Sequence, residues 1–167
     1  RQDLHRSYVE AAMTRLLALI AAMFAILAVE PAVAATSAPP VSADQNIAIG
    51  GYDPVAFFVV GKPQEGSEEH SFVYAGAVWR FASEENLSRF RSDPARYAPQ
   101  FGGYCAWAVS RHYTADTDPT AFDIVNGKLY LNYSKLVQLR WKVDRAENIR
   151  QADRNWPKLA APVKGAR

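Results

Sequence analysis

Cysteine occurs once in the 167 residues, which excludes an intramolecular disulfide and any cysteine-only structural zinc site. Surplus charge is equally scarce. With 19 Lys+Arg against 17 Asp+Glu the net charge is +2, and a sequence pI near 8.7 does not turn so even a balance into a nucleic-acid footprint. Aromatic residues make up 12% of the chain but interleave with apolar rather than basic neighbours, so a base-stacking platform is not expected either. No glycine-rich phosphate cradle, HExxH zinc motif or GxSxG elbow occurs. What is present is a globular composition, 49% hydrophobic and 22% charged, of a length that fits one domain stabilised mainly by its core.

The first forty residues have the pattern of an export signal. Residues 16–29 (LLALIAAMFAILAV) form an apolar run preceded by Arg15 and Met13 and followed by Ala32-Val33-Ala34, small side chains of the kind a signal peptidase accepts. The run is shorter than the roughly 20 residues that cross a bilayer as a helix, so cleavage after Ala34 and no permanent membrane anchor are expected. Residues 1–12 then read as an overextended start, 13–34 as the signal peptide, 35–45 as a flexible leader, 46–159 as the folded domain and 160–167 as a tail. The expected compartment is periplasmic or extracellular.

Within the domain, the β-branched and aromatic run Val55 to Val60 predicts a buried strand. Residues 71–81 predict a hairpin turning at Ala75-Gly76, and residues 122–133 a second one turning at Asn126-Gly127. Ser83 is placed to cap a helix of about ten residues that ends at Asp93-Pro94 and turns Leu87 and Phe90 to the core. From Ser134 to Asn155 an apolar stripe of Val137, Trp141, Ile149, Ala152 and Trp156 predicts a helix that Pro157 stops, with Lys142, Arg145, Glu147, Arg150 and Arg154 on its solvated face. The order of elements lacks βαβ alternation and predicts the α+β class: a small single domain of short antiparallel strands and hairpins with two main helices.

Chemistry concentrates between residues 94 and 119. Gly102-Gly103 permit unusual dihedrals or close backbone approach just before Tyr104-Cys105, and His112 follows the cysteine by seven residues. A thiol and an imidazole with nearby carboxylates suit copper or zinc, which gives Cys105, His112, His70 and Asp118 as candidate ligands. Each also has a plainer reading: Cys105 as a small buried hydrophobe, His112 and His70 as solvated histidines, and Asp53-Pro54 and Asp118-Pro119 as turn starters whose side chains bond nearby amides. A cysteine nucleophile with His112 as base meets only the compositional requirement, and catalysis is not favoured.

Gly51-Tyr52-Asp53-Pro54-Val55-Ala56-Phe57, Tyr74-Ala75-Gly76, Trp79-Arg80-Phe81-Ala82-Ser83 and Asp93-Pro94-Ala95-Arg96-Tyr97 resemble the YHS domain family. Gly102-Gly103-Tyr104-Cys105-Ala106, Asp118-Pro119, Gly127-Lys128-Leu129-Tyr130-Leu131-Asn132 and Asn155-Trp156-Pro157 extend the resemblance, toward its exported stand-alone bacterial branch, over residues 47–159. The resemblance implies a treble-clef-like core, followed here by the second hairpin and its helix, and a link to transition-metal handling, with a metal-handling protein as partner. In metal-handling relatives, cysteines follow Asp-Pro-Val, lie between the Phe and Ser after the hairpin, and recur three residues beyond that Ser. This chain has Ala56, Ala82 and Asn86 there. The functional expectations are therefore a copper- or zinc-binding module centred on Cys105, or a non-catalytic interaction or scaffold domain without metal.

Overall fold

The structure is a computed structural model that describes residues 39–160. The expected start region, signal peptide and most of the tail lie outside the described residues. Residues 39–45, expected within a flexible leader, are instead tied into the domain. Val41 is buried, the Ser42 amide donates to the Gly102 carbonyl at 2.8 Å, and β1 (Ala43–Asp44) pairs antiparallel with β2 (Ile47–Ala48).

The described residues form an α+β domain with a four-stranded sheet ordered β1-β2-β4-β3 and a two-stranded ribbon, β5-β6. The first expected hairpin is present as β3 (Ser67–Tyr74) and β4 (Ala77–Phe81), with Ala75 and Gly76 both at positive φ in the turn. The contact of β2 with β4 is parallel, through Ile47 and Val78, so the sheet is mixed rather than wholly antiparallel. β5 (Asp118–Val125) and β6 (Lys128–Asn132) turn at Asn126-Gly127, as their sequence requires.

Six α-helices complete the described fold. Residues expected as a strand form α1 (Ala56–Val59), because Asp53 Oδ1 accepts from the Val55 and Ala56 amides at 2.8 and 3.2 Å and starts a helical turn. A continuous apolar run suits a buried helix as well as a buried strand, and here the preceding aspartate decides. Ser83 caps α2 (Glu84–Ser92) by accepting from the Asn86 amide, and Asp93 caps the following turn, α3 (Pro94–Tyr97). A 3-10 turn (Gln100–Gly103) leads to α4 (Ala106–Ser110). The expected C-terminal helix is two helices, α5 (Lys135–Val143) and α6 (Arg145–Leu159), broken at Asp144, whose side chain caps the second. Pro157 does not stop α6. It removes one donor in the last turn, and Ala160 N still reaches Trp156 O at 2.9 Å.

Strand β6 separates two cores. Its alternate side chains face opposite ways, so Leu129 and Leu131 join the cluster of Val55, Phe57, Trp79, Phe81, Leu87 and Phe90, while Tyr130 joins Phe101, Tyr104, Val109, Trp141 and Ala152. Phe90 is the hub of the first core, with ring centroids of Phe81, Trp79 and Tyr74 at 5.1, 5.4 and 5.6 Å.

Candidate functional site

Two buried polar centres organise the domain, one on each side of β6. The first is Asp53, wholly enclosed. Besides the amides of Val55 and Ala56, it accepts from the Ala82 amide at 2.9 Å and from Asn86 Nδ2 at 2.6 Å through Oδ2. Its role as a turn starter is therefore borne out, and it extends to a long-range tie between α1, the end of β4 and α2. The three groups that reach it from Ala56, Ala82 and Asn86 occupy the positions at which the resemblance places cysteines in metal-handling relatives. Here those positions converge on a carboxylate and supply two backbone amides and a carboxamide. No soft donor remains among them, so this cradle does not fit a copper or zinc ion.

The second centre is Cys105, 1% exposed and a free thiol. It stands just before α4, with its amide donating to the Ala115 carbonyl at 3.0 Å and its own carbonyl accepting from Val109 N. Gly102 and Gly103, both at positive φ, bring the chain to it. A Cβ on Gly102 would lie 2.0 Å from the Pro40 carbonyl oxygen, so the close backbone approach expected of this pair is realised against the N-terminal segment. The sulfur accepts from Tyr133 N at 3.3 Å and lies 3.9 Å from Asn132 Oδ1, which also accepts from Trp107 N at 3.3 Å. Burial pushes the Cys105 thiol pKa up, against the smaller opposing effect of backbone hydrogen bonds from Ala108, Tyr133 and Trp107, so the neutral form is favoured.

The other expected ligands are elsewhere. His112 is exposed beyond the far end of α4, where its amide donates to Val109 O, while Cys105 precedes the first turn. His70 lies on β3 with Nδ1 3.6 Å from Glu84 Oε2, and Asp118 accepts from the Thr120 amide and hydroxyl at 2.8 Å, a turn-starter role as its plainer reading had it. Among the described residues no three His, Cys, Asp or Glu side chains are grouped so as to hold a metal ion.

Sequence reasoning missed Asn132 as a partner of Cys105. The residue is fully buried and its Nδ2 has no hydrogen-bond partner among the described residues. Its signal in the chain is an amide ending an apolar strand. Outside the thiol a cleft of about 280 Å³ opens between α4, the end of β6 and α5, lined by Cys105, Trp107, Tyr113, Tyr133, Val137 and Arg140. Arg111 stacks over the Trp107 ring at 4.3 Å, which stiffens one wall.

Fold and centres together define a small α+β module with one closed polar tie and one thiol-floored cleft. The family model of the YHS domain matches residues 55–101. The match takes in α1, the β3-β4 hairpin, α2 and α3 and ends before Cys105, so the thiol, the second hairpin and the last two helices lie outside it. Comparison with curated proteins and with solved structures returned no match.

Proposed function

We propose that the protein is a non-catalytic interaction module of the YHS type that handles no metal of its own. The observation that carries this reading is the Asp53 centre. The three positions at which metal-handling relatives carry cysteines are spent here on hydrogen bonds to a buried carboxylate. A second support is the setting of Cys105, a neutral thiol whose nearest polar neighbours are an amide oxygen and a backbone N–H. A nucleophilic role needs a lowered thiol pKa and a base within reach, and a raised pKa opposes it. The cleft outside the thiol is where the module would engage its partner, because aromatic walls of Trp107, Tyr113 and Tyr133 suit a flat apolar group.

We place this activity outside the cytoplasm, on the strength of residues 16–29 and the Ala32-Val33-Ala34 that follow. A lone thiol in an oxidising compartment is exposed to intermolecular pairing, and burial of Cys105 removes that hazard. Titration of the reduced full chain with Cu(I) and with Zn(II) tests the reading. It predicts no stoichiometric uptake that depends on Cys105. One-to-one uptake abolished in Cys105→Ala would replace it with a metal-binding function centred on that thiol.

A further inference from the structure

Helix α5 is amphipathic in the reverse of the usual sense. Its inner face is taken by buried Gln138 and Trp141 and half-buried Val137, yet Leu136, Leu139 and Val143 point outward and are 59%, 61% and 88% exposed. Spacings of three and four residues place these three on one line along the helix. Tyr133, 60% exposed, continues the line at the N-terminal end, and Tyr113 stands across the cleft. Large apolar side chains scattered singly on a surface need no explanation, but a row of them on one short helix does.

Basic residues predominate beside this row. Residues 133–145 carry Lys135, Arg140, Lys142 and Arg145 against the single acid Asp144. Lys142 is partly compensated by Asp123 at 3.0 Å, and Lys135 donates to the Thr120 carbonyl, while Arg140 on α5 and Arg145 at the start of α6 are exposed. A second copy of the chain packed on this face about a twofold axis would bring the cations of both copies together, which disfavours self-association. A protein partner with an apolar groove is the other occupant of such a face, and the vesicle titration separates the two. Protruding leucines and a valine flanked by tyrosine and by cations fit the headgroup layer of an anionic bilayer, where apolar side chains sink a short way and guanidinium groups meet lipid phosphate.

We infer that the outer face of α5 is a peripheral membrane-docking surface, with Leu136, Leu139 and Val143 entering an anionic bilayer and Arg140 and Arg145 contacting its phosphates. This is docking on a surface and not spanning; no described helix is long and apolar enough to cross a membrane.

The test places an environment-sensitive fluorophore on the full chain at Val143→Cys, and in a separate sample at Val73→Cys, a β3 position that is 67% exposed and carries no such pattern. Each is mixed with phosphatidylcholine vesicles with or without phosphatidylglycerol. The expected result is a blue shift at residue 143 alone, only with phosphatidylglycerol, and reversed by high salt. Leu139→Glu in the same labelled chain should weaken the lipid titration by about tenfold and Arg140→Gln by about fivefold, with far-UV circular dichroism unchanged. No shift at residue 143, or an equal shift at both positions, would overturn the proposal, because a chain held only by residues 16–29 leaves both probes alike. A shift at residue 143 without vesicles that grows with protein concentration would overturn it in favour of a second copy.

Discussion

Asp53 and Asn132 are both fully enclosed, yet they are furnished differently: Asp53 receives four donors, while Asn132 satisfies its oxygen and its nitrogen has no partner among the described residues. The contrast separates the two centres. Within the matched stretch and the turn before it, buried polarity serves architecture, tying three elements to one side chain. Beyond it, the Asn132 side chain accepts from a single backbone amide and sits beside a thiol and an open cleft.

The comparison is broken most easily at its strong end. Asp53→Ala strands the Val55, Ala56 and Ala82 amides and the Asn86 carboxamide at once, and should cost about 4 kcal/mol or more in chemical denaturation of the full chain. A loss under about 1 kcal/mol would mean that the centre is not the tie described. Asn132→Ala should cost less, about 1–2 kcal/mol, because the lost acceptor for Trp107 N is offset in part by removal of an unpartnered amide. Equal losses at the two sites would erase the distinction between the centres.

Local chemistry made much of this fold legible in the sequence. Ser83, Asp93-Pro94, Ala75-Gly76 and Asn126-Gly127 act within a few residues of themselves, and each does in the structure what its type and position require. The run at Val55 failed as a strand because periodicity alone does not separate a buried strand from a buried helix, although the Asp53-Pro54 before it held the deciding signal. Asn132 and the outward leucines of α5 were not legible, since their meaning depends on which residues lie across from them. The resemblance to the YHS family was readable, and so was the absence of the cysteines that it implies at Ala56, Ala82 and Asn86. That Ala56, Ala82 and Asn86 converge on Asp53 required the fold.

Cys105 gives the smallest stability change and a characteristic pH dependence. Its thiol pKa is raised in the folded chain relative to about 8.5 in the unfolded one, so the contribution is full below the unfolded pKa. As pH climbs past that value the unfolded state gives up its proton first, and stability falls until the folded thiol titrates. Cys105→Ala should cost about 1 kcal/mol at neutral pH and remove that part of the alkaline decline. Denaturation curves measured at neutral and alkaline pH on both chains resolve it, and an identical alkaline slope in the variant would contradict the raised pKa.

The rate at which iodoacetamide alkylates Cys105 in the folded full chain, followed against pH and compared with the denatured chain, tests the account most directly. A neutral, enclosed thiol predicts a rate at least about a hundredfold below that of the denatured chain, with a midpoint shifted to higher pH. Alkylation as fast as in the denatured chain, with a midpoint below the ordinary thiol value, would contradict it and return Cys105 to the reactive ligand or nucleophile that this structure argues against.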